Sequence, residues 1–301
     1  MDQSQYDSGD LKGRLFVITA AILWGTSGTA QALAPEGASP LVVGTMRILI
    51  SGVLLTSLDL LRRKKLDIHR FLHPIFLLTG LCQALFQVSY FSGIAYTGVA
   101  VGTMVAIGSA PVFTGFLGVF FDRERLKKRW FIATGVALIG LFLLTIGEAE
   151  TSQVDLLGIA LALLAGFAYA MFTLLASKLV RRMNVETVIG TSFVVGTVYL
   201  LPLLFLYPTN WIFQGTGPAV VLYLGLISAA LAYRFYGQGL KTVPVSTVGT
   251  LTMAEPLTAS LLGVFFLREN LLATGLLGMV LIFGAQLMLV LEGRKKLKDR
   301  R

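Results

Sequence analysis

The segment Leu117-Gly118-Val119-Phe120-Phe121-Asp122-Arg123-Glu124-Arg125-Leu126 returns 145 positions later as Leu262-Gly263-Val264-Phe265-Phe266-Leu267-Arg268-Glu269-Asn270-Leu271. The same displacement carries Gly13 onto Gly158, Trp24 onto Tyr169, Gly80 onto Gly225 and Pro111 onto Pro256. A constant offset over that much chain predicts two homologous halves. Each half holds five long apolar runs. Because five is odd, the second half enters a bilayer from the opposite side, so the halves are inverted.

The ten runs are read as 13–33, 40–61, 71–95, 98–121, 128–146, 156–177, 186–207, 217–239, 243–267 and 271–291. Each is close to the roughly 20 residues that a helix needs to cross the hydrocarbon core. Only 14% of the 301 residues are charged, against about 25% in a soluble domain. The expected fold class is therefore an all-α integral membrane protein with ten transmembrane helices in two inverted five-helix repeats. Residues 1–12 and 292–301 are read as cytoplasmic tails, the latter basic, with repeats at 13–146 and 156–291. The hinge Glu148–Gln153 joins the halves. Almost no chain remains for a soluble catalytic or nucleotide-binding domain.

The formal net charge is +9, but no contiguous basic face of the kind that binds nucleic acid is formed. Arg62, Arg63, Lys64, Lys65 and Arg70 lie between spans two and three. Arg123, Arg125, Lys127, Lys128 and Arg129 lie between spans four and five. Lys178, Arg181 and Arg182 follow span six, and Lys241 follows span eight. The alternate loops Ala34–Ser39, Gly147–Val154 and Thr209–Thr216 contain neither Lys nor Arg, and Arg268, beside Glu269, is the one basic residue in an outer loop. This asymmetry predicts an inner (plasma) membrane protein with both termini in the cytoplasm. Span one outlasts a signal-peptide core, and its Trp24 has a repeat partner, so it is read as retained. Cys82 is the only cysteine, which rules out a disulfide within the chain.

Polar residues inside the spans are the site candidates. Glu255 lies near the middle of span nine, where an acid costs about 2.5–3.5 kcal/mol on insertion scales. It is read as a proton-coupling group, a ligand for a substrate ammonium, or a structural carboxyl. Arg47 lies about 12 Å into span two. It is read either as a two-pronged carboxylate clamp or as an ion-pair partner of Glu255, the two being paired in the empty protein and parted by a zwitterion. Gln83, Gln87 and Tyr90 share one face of span three, and Tyr233, Tyr236 and Gln238 enrich span eight. Trp24, too deep for an interfacial belt, and its counterpart Tyr169 complete the cavity candidates. Tyr207, Trp211 and Trp130 fit the belt instead. Pro111 and Pro256 are read as matched bends. Arg234 is read as snorkelling to the cytoplasmic face, and Gln286 as packing.

No Gly-rich Lys-Ser/Thr phosphate loop is present, and no His/Cys/carboxylate set has metal spacing. The only two histidines, His69 and His73, flank the entry to span three and offer no partner for a nucleophilic serine. No enzyme, metal or cofactor is expected beyond the possible coupled proton. The expected partners are a small-molecule substrate and the lipid bilayer, with the protein a monomer or homodimer.

Trp24-Gly25, Arg47, Pro111, Glu255-Pro256 and the two Phe-Phe-x-Arg-Glu ends, in this order, resemble the EamA family of the drug/metabolite transporter superfamily. The resemblance extends over about 13–291. It implies a secondary carrier working by alternating access, with its site between inverted halves, and often an exporter of amino acids or related metabolites. Efflux of cationic drugs, metabolite uptake and a non-transporting membrane sensor stay open at this point.

Overall fold

The computed structural model describes residues 11–64, 67–146, 155–266, 268 and 272–298, with side chains as far as residue 292. Ten helices are long and apolar enough to span a bilayer: α1 (Leu11–Ala32), α2 (Pro40–Arg63), α3 (Pro74–Thr97), α4 (Val99–Asp122), α5 (Lys128–Thr145), α6 (Leu156–Val180), α7 (Val185–Leu206), α8 (Gly217–Leu240), α9 (Val245–Phe266) and α10 (Ala273–Glu292). Among the described residues there is no strand. Only structures that pair every backbone group internally can cross lipid, and helices do so within one segment. The expected spans differ from these by a few residues at their ends. Residues 1–10 and 299–301 of the two tails, the hinge Glu148–Gln153, and Glu269 lie outside the described residues, while the last helix continues past its membrane span to Lys298.

The protein is an all-α, multi-pass membrane protein of two inverted five-helix repeats. The helix pairing displays the inversion. α1 packs on α8 as α6 packs on α3, α2 meets α8 as α7 meets α3, and α1 meets α9 as α6 meets α4. The pairs α2–α7, α4–α9 and α5–α10 map onto themselves. Lipid gives no reward for burying apolar surface between helices, so close approach depends on small residues. At the α5–α10 crossing, a side chain on Gly140 would come within 2.7 Å of the Gly278 carbonyl oxygen. Gly278→Val is therefore expected to force these helices apart at a cost of roughly 1–3 kcal/mol. The check is the melting temperature of the purified protein in detergent, where an unchanged value would contradict this crossing.

The offset of 145 is not constant in space. Gly80 packs against Val195 on α7, and Gly225 against Ile50 on α2, as the offset requires. Farther along, Gly93 packs on Gly158 and Ala162, whereas their counterparts Gly13 and Val17 receive Gly239. Gly93 to Gly239 is 146 positions. Between the two sites, α8 contains a π-helical stretch at Leu226–Leu231, while α3 is α-helical throughout. A π-bulge accommodates an extra residue within a helix, and here it advances the register by one.

The prolines are likewise unequal in effect. Pro111 sits inside the single helix of α4. α9 is interrupted instead at Thr252–Met253, between Val245–Leu251 and Ala254–Phe266. There Met253 N bonds Thr250 O at 3.2 Å and Glu255 N bonds Thr252 O at 2.9 Å, three residues back rather than four. Pro256 follows the break and lies in the first turn, where a missing N–H costs little. The expected interfacial belt is also corrected. Trp130 and Trp211 are buried, Trp130 lying over Gly115 with its Nε1 donating to the Ser246 carbonyl at 2.9 Å. Tyr207 is exposed.

Candidate functional site

Halfway along α1, Trp24 stands among tyrosines from the second half. Its ring centroid lies 4.8 Å from that of Tyr233, 5.0 Å from Tyr236 and 6.5 Å from Tyr169. The hydroxyls form a chain: Tyr236 OH lies 2.9 Å from Tyr169 OH and 2.6 Å from Thr173 Oγ1. Gln83 Nε2 donates to Tyr233 OH at 3.2 Å. Phe86 bridges the wall, at 5.6 Å from Tyr90 and 6.0 Å from Tyr169. The π-helical stretch creates this wall: by the shifted register, Tyr233 and Tyr236 occupy the places that Gln87 and Tyr90 hold in α3.

Three polar atoms in this region are buried with no hydrogen-bond partner: Trp24 Nε1, Gln83 Oε1 and Gln87 Nε2. Buried polar atoms in native proteins are nearly always paired. One acceptor and two donors here thus carry no partner from the protein itself.

Arg47 and Glu255 approach the same wall, and both are half-buried. They act through space on each other and on Tyr90 and Tyr233; Glu255 also acts on Tyr169. Among the described residues no ion pair within 4.0 Å joins them. Arg47 comes from α2 and Glu255 from the first turn after the break in α9. The Trp24-Gly25 dipeptide has a local reason: a side chain at position 25 would lie 2.7 Å from the Glu255 carbonyl oxygen. Only glycine lets α1 run this close to α9. Gly44 on α2 leaves room for the Gln87 amide in the same way.

Arg234 ends in an ion pair with Glu186 at 3.0 Å and remains 44% exposed. Gln286 donates to the Thr250 carbonyl at 3.0 Å, a packing bond. Cys82 is buried and free. His69 and His73 are exposed. Among the described residues, no group of three or more His, Cys, Asp or Glu is placed to hold a metal ion.

A second polar layer lies at the helix ends that carry the basic loops, called the basic face below. Buried Asp59 accepts from Thr187 at 2.5 Å, Arg63 at 2.9 Å and Arg70 at 3.0 Å. Buried Glu186 pairs with Arg62 at 2.9 Å as well as Arg234. Asp122 pairs with Lys178 at 3.2 Å, and Arg14 with Glu292 at 3.6 Å. Glu124 accepts from Val245 N at 2.6 Å and Ser246 N at 3.1 Å. Burial pushes its carboxyl above the usual range, and the hydrogen bonds from Val245 and Ser246 oppose that push. Each of these carboxylates ties one half to the other. Sequence reasoning passed over them because an acid at a span end among Lys and Arg reads as a solvated charge; only Glu124, within the repeated Arg-Glu end, carried a signal.

Comparison with known proteins gives a consistent result. A profile of the EamA-like transporter family matches residues 11–146 and, separately, 156–291. The uncharacterized transporter YwfM of Bacillus subtilis (strain 168) is 38% identical over 282 residues, which cover 94% of this chain and 95% of that protein. The threonine/homoserine exporter RhtA of Escherichia coli (strain K12) is 32% identical over 197 residues, 64% of this chain and 65% of its own. A solved crystal structure at 20% identity shares the fold, with a TM-score of 0.79 over 95% of this chain and 99% of its own.

Proposed function

Since the chain belongs to the EamA-like transporter family, we propose that it is a secondary carrier that exports an amino acid or a close relative by alternating access. One observation carries this reading. Arg47 and Glu255, of opposite charge and on different halves, are both half-buried at one aromatic and amide wall without pairing directly. A guanidinium takes a carboxylate in two-pronged fashion, and a carboxylate takes an ammonium. A zwitterion meets both, while Trp24 Nε1, Gln83 Oε1 and Gln87 Nε2 are free to bond its polar edge. The tyrosines and Trp24 suit a short apolar part.

The likeness to RhtA, named for threonine and homoserine, supports this class of substrate. The lysine and arginine loops support a plasma-membrane orientation with both termini in the cytoplasm. In this reading Glu255 is also the group that can exchange a proton during the cycle.

Counterflow in proteoliposomes tests the proposal. Vesicles preloaded with L-threonine, L-homoserine, other amino acids, purines or organic amines are offered the labelled compound outside, with protein-free vesicles as the control. The expected result is counterflow of one or more amino acids. Counterflow of amines alone would transfer the site to cationic compounds. Binding of an amino acid without flux would make the protein a sensor.

A further inference from the structure

On the reading of the chain as a carrier, we propose that Glu124 is the latch of a gate on the basic face. It holds the first segment of α9 against α4. Its release lets that segment swing at the Thr252–Met253 break, opening the Glu255 site to that face.

The latch is built locally. α4 ends with Arg123 in the left-handed region, at φ 54. This reverses the chain so that Glu124 N bonds the Gly118 carbonyl at 3.0 Å. The Glu124 side chain then lies back over Gly118, where a side chain would meet Oε2 at 2.6 Å. From there both carboxylate oxygens reach the first two amides of α9, in the other half. Hydrogen bonds to an ionised acceptor are about twice as strong as neutral ones. Trp130 Nε1 to Ser246 O at 2.9 Å and Thr134 Oγ1 to Thr250 Oγ1 at 2.8 Å secure the same segment from α5.

The two segments of α9 differ in the manner that a gate requires. Every residue from Val245 to Ala254 is buried. From Leu257 to Leu261, more than a full helical turn, every residue is half-buried or exposed. α9 is therefore wholly buried on the basic side of Glu255 and partly exposed on the other, where it packs on α1 at Gly25. Among the described residues the ion pairs follow the same division and lie at the basic face. Glu255 sits two residues past the break, so movement of the clasped segment bears directly on its carboxyl. Glu124 is a positioning residue in this account and touches no substrate.

The test uses two cysteine reporters on α4, each in a Cys82→Ala background, and a membrane-impermeant thiol reagent applied to vesicles of both orientations. Thr114→Cys replaces a fully buried residue that faces Gly249 on the clasped side. Thr103→Cys replaces the half-buried partner of Tyr90 toward the opposite face. With Glu124 intact, position 114 is protected from the basic face and position 103 reacts from the other. Glu124→Ala is expected to speed labelling at 114 about tenfold and to slow it at 103. Glu124→Gln keeps one acceptor and should fall between. General loosening of the fold would instead speed both. Unchanged labelling at 114 in a monodisperse Glu124→Ala protein, or faster labelling at both positions, would overturn the latch. Absence of counterflow by the unmodified protein would count against the carrier reading and leave the labelling result standing.

Discussion

Replacing Glu255 with Gln lowers amino-acid counterflow about a hundredfold while the protein stays folded. The size follows from what the variant leaves behind. Removing one partner of a desolvated charge pair costs about 2–5 kcal/mol, because the other charge stays buried and unpaired. A hundredfold loss is about 2.7 kcal/mol, within that interval. Gln keeps the volume and one acceptor, so the wall around Trp24 and Tyr233 is not disturbed. Arg47→Gln should act to a similar degree on the same substrates, since it addresses the opposite end of the zwitterion. The double variant should be little worse than either single one, because both groups grip a single molecule and such losses do not add. The measurement is initial counterflow rate at saturating and at low substrate, with size-exclusion profiles to certify folding. Normal rates in the double variant would remove both charges from the site.

The second large effect concerns stability. Asp59→Leu is expected to lower the melting temperature in detergent by on the order of 10 °C. Asp59 is buried and holds three donors: Thr187 from the other half, Arg63 one turn along α2, and Arg70 from the short helix His69–Leu72 before α3. Arg63 is 40% exposed and can turn to water, so its loss matters little. The Arg70 side chain is only 10% exposed. Without Asp59 it keeps only the longer contacts of its Nε with the half-exposed Asp67, 3.8 Å to the carboxylate and 3.3 Å to the carbonyl, and breaking a buried pair in this way costs up to about 3–5 kcal/mol. Midpoints in proteins of comparable size shift by roughly 2–4 °C per kcal/mol. Asp59→Asn keeps an acceptor for Thr187 and should lie between. A shift below about 2 °C in Asp59→Leu would show that Asp67 or water takes up the Arg70 charge and that the buried pair contributes little.

These two residues mark how far the sequence could be read. Glu255 stood out because a carboxyl deep in an apolar run is costly and therefore conspicuous. Arg47 and Trp24 stood out for the same reason of depth, and the repeat supplied Tyr169. The ten spans followed from apolar length alone, since lipid imposes the helix. Asp59, Glu186 and Glu124 did not stand out. Their burial comes from helices of the other half folding over them, and nothing adjacent in the chain records that. The relation between Arg47 and Glu255 was also beyond reach. Spacing along α2 and α9 fixes the depth of each but not the gap between two helices. The break in α9 announced itself only through Pro256, which lies just after it and marks the place without causing the interruption.

The π-helical stretch Leu226–Leu231 has a consequence for how such a site can arise. A helix turns about 100° per residue, so one added residue rotates all that follows by more than a quarter turn. At the plain offset of 145, Ala232 and Phe235 would stand where Gln87 and Tyr90 stand in the first half. Phe235 instead stacks on Phe16, with ring centroids 5.7 Å apart, and Tyr233 and Tyr236 face Trp24. A duplicated, symmetric bundle thereby gains an asymmetric chamber from a change of one residue in length. A change of one residue in length is enough to exchange a whole face of the helix for its neighbour, like a gear advanced by one tooth.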